Sequence, residues 1–359
     1  MATTKQFDCP GCSAQLEYDP SAQAQTCPYC GHVAQVQIGA EAQAEAVAEL
    51  DFHEYLSKAA EAEDTVDQVT VSCMACSAQT TLEPNVTSTE CPFCGTQIVA
   101  QGESKRVIKP KALLAFSIPK DQAATLWREW IAGLWFAPGK LKSDAKKADK
   151  LSGMYMPYWT YDADTHSYYT GQKGRHKWKK RGGQKVMEVK WKYVEGNVDK
   201  SFDDVLVLGS ESVPNKHANG LRPWDLENLV PYDDSYLSGF RAEAYQTDLE
   251  AGFGKAKDEM DTKVRKKVRQ RIGGDVQTIT SLQTSYENIT FKHILLPLWI
   301  SAYRFNDKVY QYLVNGRTGK IRGDRPYSWV KISLTVLAAL VVIAIAILLM
   351  IKLRVIRFR

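Results

Sequence analysis

All eight cysteines of the chain fall into two copies of one frame. The first is "CPGCSAQLEYDPSAQAQTCPYC", from Cys9 to Cys30, and the second is "CMACSAQTTLEPNVTSTECPFC", from Cys73 to Cys94. In each, two CxxC pairs are separated by fourteen residues, and Ser-Ala-Gln follows the second cysteine. A CxxC pair sets two thiolates on one tight turn, and four such sulfurs satisfy tetrahedral zinc. The spacing therefore predicts two zinc ions per chain. One is held by Cys9, Cys12, Cys27 and Cys30, the other by Cys73, Cys76, Cys91 and Cys94. A closed four-thiolate site leaves no coordination position for a substrate, so both ions are expected to be structural. Pro10, Pro28 and Pro92 follow a first cysteine, while Gly31 and Gly95 follow a second, where positive φ is easily adopted. The "CMAC" knuckle has neither aid. His32 lies just past a complete ligand set and is read as a bystander.

The alternatives for these cysteines are weaker. Disulfide frameworks belong to exported chains, and "MATTKQFDCP" carries no apolar run of the kind a signal peptide needs. Redox-active CxxC pairs would not need the paired spacing. A unit of about thirty residues also lies below the ~40 at which a hydrophobic core usually suffices, so metal would be part of its folding.

What surrounds the frames sets their context. Between them, Glu41 to Asp67 holds nine acidic residues against the single Lys58, and it lacks Gly and Pro. That predicts a helix, either a solvated spacer or an acidic docking surface. Its charge would repel nucleic-acid phosphates. The whole chain, with 44% hydrophobic and 24% charged residues, is of ordinary globular composition. "DQAATLWREWIAGLWF" spaces Ala123, Leu126, Trp127, Trp130, Ile131 and Leu134 on one helical face, stopped by Pro138 and Gly139, and its tryptophans, Trp135 included, are assigned to the core. Leu249, Phe253, Ala256, Met260, Val264 and Val268 mark a long amphipathic helix ended at Gly273–Gly274. "MEVKWKYV" alternates as a half-buried strand, and Asn315–Gly316 fits a two-residue hairpin turn. "MPYWTYDAD" and "LPLWISAYR" both put Pro-x-Trp at a strand entry, which hints at a duplicated core unit.

The expected architecture is multidomain: two small β-rich zinc ribbons, an α+β domain and one C-terminal transmembrane helix. The segments are ribbon 1 at 1–38, an acidic helical linker at 39–68, ribbon 2 at 69–102, the α+β domain at 105–328, the transmembrane helix at 330–351 and a basic stub at 352–359. "ISLTVLAALVVIAIAILLMI" has no charge over twenty residues, enough at ~1.5 Å per residue to cross a bilayer, with Tyr327 and Trp329 at belt depth. Basic residues flank it about equally, so orientation rests on the thiolates, which need a reducing compartment. The bulk is expected in the cytosol. Two basic stretches, Gly171–Lys192 and Lys255–Arg271, suit anionic lipid of the inner leaflet or a nucleic-acid strand, and the membrane context favours lipid.

Motifs of catalysis are missing. No GxxxxGK[ST], HExxH or GxSxG occurs, and Asp203/Asp204 and Asp233/Asp234 are read as turn or cap residues. The stretches "CPGCSAQLEYD", "GMYMPYWTYDA", "FDDVLVLGS", "RPWDLENLVPYDDSYLSGF", "FKHILLPLWISAYRF" and "VNGRTGKIRGDRPYSWVKI" resemble bacterial TFIIB-type zinc-ribbon membrane proteins. Relatives are often labelled primosomal or helicase-like, which the missing Walker lysine contradicts. The resemblance implies a non-enzymatic, membrane-anchored accessory protein of envelope stress, with phage-shock-protein-A-like and SPFH-domain partners. The expected function is thus a tail-anchored adapter at the bacterial cytoplasmic membrane, its ribbons at the end distal to the bilayer. The alternative is a membrane-tethered nucleic-acid binder.

Overall fold

The structure is a computed structural model. It describes residues 7–36, 39, 43, 48–58, 65–75, 78–81, 88–93, 96–99, 103–144, 151–305 and 308–352. The first cysteine frame folds on a small antiparallel sheet of β1 (Glu17–Asp19), β2 (Ala24–Thr26) and β3 (Val33–Ala34). Two short elements follow, β4 (Leu50–Asp51) and α1 (Phe52–Lys58). In the second frame, β5 (Thr65–Ser72) pairs with β6 (Gln79–Thr81) and with β9 (Glu103–Ile108), while β7 (Ser88–Glu90) pairs with β8 (Gln97–Val99).

The acidic segment is not one helix. β4 pairs with Thr290 and Phe291, and Thr65–Asp67 already belongs to β5. Phe52 packs 4.8 Å from Phe253, and Tyr55 lies 5.2 Å from Phe291, measured between ring centroids. Burial of these rings overrides the helical propensity of the alanines around them. Residues 41–42, 44–47 and 59–64 of this segment lie outside the described residues.

The body is built in chain order from β10 (Ala112–Leu113), α2 (Lys120–Gly133), α3 (Gly139–Asp144), β11 (Ser152–Arg181), β12 (Gln184–Leu208), α4 (Asn215–Gly220), β13 (Val230–Pro231), β14 (Arg241–Ala242), α5 (Leu249–Ile272), β15 (Val276–Phe305), β16 (Lys308–Asn315), β17 (Ile321–Gly323) and α6 (Trp329–Lys352). A nine-stranded mixed sheet runs β12-β11-β15-β10-β13, with β14 beside β11, β16 and β4 beside β15, and β17 beside β16. The helical spacings translate into burial: Ala123, Trp127 and Ile131 of α2, and Phe253, Ala256, Met260, Val264 and Val268 of α5, all face the core. α5 starts at Asp248, whose carboxylate accepts the Ala251 N–H at 2.8 Å, and stops where Gly273 and Gly274 take positive φ.

The repeated Pro-x-Trp marks an internal duplication. β11 and β15 pair symmetrically about Met156 and Leu296, with Pro157 opposite Leu295 and Tyr155 opposite Pro297. β14 runs parallel to β11 at Met154–Tyr155 as β10 runs parallel to β15 at Ile294–Leu295. The Pro157 carbonyl accepts from Gly209 N–H, and the Pro297 carbonyl accepts from Gly316 N–H, both at 2.9 Å. In turn, the Gly209 carbonyl accepts from Gln246 and Thr247, and the Gly316 carbonyl from Ser117 and Ile118. Trp159 donates its indole N–H to Thr247 O at 2.9 Å, just ahead of α5; Trp299 donates to Ile118 O at 2.8 Å, just ahead of α2. Tyr245 and Phe116 lie 5.0 Å from these respective indoles. Each half is therefore a short strand, a helix and a long hairpin, and the halves are related by a pseudo-twofold axis through the sheet.

The hairpin of β16 and β17 differs from the expected two-residue turn. Asn315 N–H donates to Lys320 O, and Gly319, not Gly316, takes positive φ. The buried Asn315 side-chain amide oxygen Oδ1 accepts the N–H groups of Arg317 and Thr318, which lengthens the loop.

Both cysteine frames are docked on the body. Tyr18 is buried 5.2 Å from Tyr236, and its N–H donates to Ser238 O at 3.0 Å. Cys73, Cys91 and Phe93 share a core cluster with Met156, Leu208 and Ile294. Gln311 of β16 donates to Phe93 O at 3.1 Å, and the Gln311 carbonyl accepts Asp324 N–H shortly before α6 begins. The frames, expected to be self-contained units, pack against the body. Their buried Tyr18 and Phe93 cannot leave the body without exposing aromatic surface to water.

Candidate metal centre and membrane-spanning helix

Cys9, Cys12, Cys27 and Cys30 converge, with all four Sγ atoms within 4.8 Å of one another. Cys9 Sγ to Cys30 Sγ and Cys12 Sγ to Cys27 Sγ are each 3.4 Å, far beyond a disulfide bond. Zinc–sulfur bonds of 2.3 Å in a tetrahedron place sulfurs about 3.8 Å apart, so the set fits zinc after small relaxation. Gly11 N–H points at Cys9 Sγ at 3.4 Å, an outer-shell contact that orients this ligand. Left to themselves the thiols divide. The Cys30 backbone N–H is the main cause holding Cys27 down to about 6. At Cys30 the His32 backbone N–H also lowers the thiol, but sulfur contacts with Cys9, Cys27 and Cys12 outweigh it and push Cys30 up to about 12. Four adjacent sulfurs need a divalent cation to be thiolates together.

The local backbone explains why this spacing assembles. Cys9 N–H donates to Ala14 O at 2.7 Å and Cys27 N–H to His32 O at 2.8 Å. Ser13 and Gly31, each directly after a second cysteine, take φ of 58° and 73°. The second frame repeats the bond: Cys73 N–H donates to Ala78 O, and Cys91 N–H to Thr96 O, both at 2.8 Å. All four knuckles thus close in one way. Cys73 and Cys91 are buried, and Cys76 and Cys94 lie outside the described residues. Among the described residues, one four-cysteine cluster is assembled. His32 contributes its carbonyl to a knuckle, as its position past the ligand set implies.

A second convergence joins Glu49, Asp162 and Asp203. It already has a cation. The buried Lys292 ammonium lies 3.0 Å from Glu49 and 3.3 Å from Asp204, and Asp162 accepts Asp204 N–H at 2.6 Å. Burial, and then the hydrogen bond with Glu49, raises Asp162 to about 7. Glu49 is also opposed by burial, but bonds to Asp162, Thr290 and Lys292 hold it down to about 2. Glu49 bonds Thr290 and Lys292 of β15, so the arrangement pins the acidic segment to that strand. Asp203 and Asp204 thus sit at the bulge where β11 and β12 shift register, with Asp204 at φ 48°, whereas Asp233 caps a turn at Ser235 N–H as expected. Glu243 was not legible in sequence. It is buried between the body and the second frame, accepts from the Ser212 hydroxyl and Gln246, and is raised by burial to about 7. The matching position in the other half is Leu114.

At the far end of the chain, Trp329–Met350 is a 22-residue apolar helix, unburied along its apolar window and long enough to cross a membrane. Its start is fixed to the body: Ser328 N–H donates to Phe136 O at 2.8 Å, and the Lys331 ammonium to Ala137 O at 2.7 Å. Trp135 is exposed and not in the core, as are Tyr327 and Trp329, and its carbonyl accepts from the Lys331 ammonium at 3.3 Å. Such aromatics suit the bilayer interface.

No family model matches the chain, and no solved structure matches it. Over 228 residues it is 24% identical to an uncharacterized protein of Bacillus subtilis (strain 168), YdjG. That similarity covers 63% of this chain and 66% of YdjG, just under two thirds of the relative's length.

Proposed function

We propose that the chain is an adapter at the bacterial cytoplasmic membrane, anchored by α6 with its bulk in the cytosol. Two structural zinc ions, one per cysteine frame, stiffen a surface that binds a partner protein and holds it at the bilayer. The observation that supports this most is the pair Tyr29 and Met74. Each sits inside a CxxC knuckle, and they are 82% and 99% exposed. A large apolar side chain on a metal-stiffened tip is the kind of anchor that dominates protein interfaces. Two such tips on one rigid body let modest contacts add into durable attachment. The resemblance noted above names the partner class: a phage-shock-protein-A-like protein, directly or through an SPFH-domain neighbour.

The experiment is purification of the tagged full chain in mild detergent, followed by mass spectrometry, beside Tyr29→Ala/Met74→Ala. Deleting the frames would be a poor test, because it strips Tyr18 and Phe93 out of the body. The wild type should carry a stoichiometric partner, and the variant about tenfold less. Full retention of the partner by the variant would remove the knuckles as the recruiting surface. Co-purified nucleic acid without protein would replace the adapter with a tethered nucleic-acid binder.

A further inference from the structure

The β11–β12 hairpin runs past the rest of the sheet. β15 accompanies β11 as far as Gly174, opposite Val276, and the Asp275 carboxylate accepts His176 N–H at 2.7 Å. Beyond that point the two strands continue alone to the turn at Gly182–Gly183, both at positive φ. At ~3.3 Å per residue this arm extends about 25 Å. The duplication does not require it, since the matching hairpin of β15 and β16 turns after Phe305.

The register sorts its side chains by face. Directly opposed residues share a face, and faces alternate along each strand. One face carries Trp191, Val189 paired with His176, Met187 paired with Trp178 and, at the tip, Lys180 paired with Lys185. The Trp191 ring lies over Gly174, where an added Cβ would meet it at 3.0 Å. The other face carries Lys173, Arg175, Lys177, Lys179, Arg181, Lys190 and Lys192, against Glu188 alone. This stretch is predicted from its alternation to be half-buried. Its apolar face instead meets no layer of the fold: Trp178 is 67% exposed, Met187 50% and Trp191 42%.

We infer that this arm is a second membrane-contact element, which lays Trp178, Met187 and Trp191 into the headgroup layer of a bilayer carrying anionic lipid. An element with an indole-rich apolar face and a strongly basic opposite face matches an apolar–polar boundary. Near an anionic surface each Lys or Arg adds to the attraction. A single nucleic-acid strand fits worse, because it needs its stacking platform and its phosphate cations on one side, whereas seven of the arm's Lys and Arg lie opposite the indoles and only Lys180 and Lys185, at the tip, share their face. Duplex DNA could take the basic face in a groove but would leave the indoles in water. The arm is also remote from α6. The chain turns into α6 beside the Ser152 end of β11, some 70 Å of strand from Gly174 at ~3.3 Å per residue. The arm can therefore meet a bilayer other than the one α6 crosses. This inference assumes that the chain works at a membrane but not that the knuckles recruit a partner.

The test uses the full chain in nanodiscs of neutral phosphatidylcholine, so that α6 is satisfied, with added vesicles. At ~0.1 M salt the protein should co-sediment with vesicles containing phosphatidylglycerol about tenfold more than with neutral ones. Trp178→Ala/Trp191→Ala should bring the two to the same level, and Lys177→Gln/Lys179→Gln/Arg181→Gln should weaken binding and flatten its salt dependence. All these side chains are exposed, so zinc content and circular dichroism should not change. Anionic-vesicle binding that survives the tryptophan variant would overturn the inference by placing the contact elsewhere. So would an oligonucleotide bound in preference to vesicles, or arms cross-linked between two copies of the chain with no vesicle binding. Partner recovery in the Tyr29/Met74 experiment should be the same with or without the arm variants, so the two proposals fail separately.

Discussion

The four thiols of the first frame are the clearest case of chemistry set by single residues, and their coupling to the body yields a sharper prediction than their sequence does. Read alone, the frame is a self-contained unit that Cys30→Ser would unfold in isolation. Tyr18, however, lies between the frame and the body, its ring tilted against Tyr236 and its hydroxyl donating to Phe116 O at 3.5 Å. Cys30→Ser should lower zinc content by one ion per chain by elemental analysis and also lower the melting temperature of the whole body. A second prediction concerns Asp162. Its carboxyl is raised in the fold, so its stabilising contribution belongs to the protonated form. That contribution is complete below ~4 and fades as pH rises through about 7. Glu49 is lowered, so its contribution is present above the ordinary carboxylate range and fades as pH falls toward about 2. Asp162→Asn keeps a neutral donor beside Glu49. By urea denaturation it should match wild type near pH 5 and exceed it near pH 8 by on the order of 1 kcal/mol. At this scale the convergence of Cys9, Cys12, Cys27 and Cys30 was legible because CxxC spacing is local. The Glu49–Asp162–Lys292 network was not, since its members meet only across a sheet.

Between residue and molecule, the elements that could be read in the sequence are those whose apolar periodicity ends in burial. α2 and α5 satisfy this, and α5 stops at Gly273–Gly274 as expected, whereas α2 ends at Gly133, ahead of Pro138–Gly139, where α3 begins. The acidic helix fails because a few aromatic anchors decide its path, and the arm fails because alternation says which residues share a face, not what covers it. The Pro-x-Trp echo was a faint signal of the strongest regularity in the fold. Its tryptophans lock each helix to the opposite half: Trp159 to the start of α5 and Trp299 to the start of α2. Trp159→Phe and Trp299→Phe each remove one indole donor while keeping an aromatic ring, and each leaves a carbonyl short of a partner. Both should cost about 1–3 kcal/mol, and similar amounts, in urea-induced unfolding. A large loss at one site and none at the other would show that the two halves are not energetically equivalent.

For the whole molecule, the chain's linear order misleads about space. The cysteine frames come first and the span last, yet Phe93 and Asp324 meet on opposite sides of Gln311. Only tertiary packing of buried aromatics brings them there, and no local pattern encodes it. One consequence concerns how the body is held at a membrane. Ending the chain at Ser328 removes α6, and with it the Lys331 ammonium that tethers the helix start to the carbonyls of Trp135 and Ala137. Ala137 packs in the cluster of Trp127, Ile131 and Leu134, which contains no residue of α6, so the truncated body should fold with both frames in place. On fractionation it should leave the membrane in high salt. At low salt a fraction should stay behind, held by the basic arm, because attraction to anionic headgroups is screened within about 10 Å at ~0.1 M. Adding Trp178→Ala/Trp191→Ala to the truncation should abolish that fraction. A truncated protein that pellets fully with membranes in high salt would show that α6 is not the anchor, since no other helix among the described residues is long and apolar enough to span a bilayer.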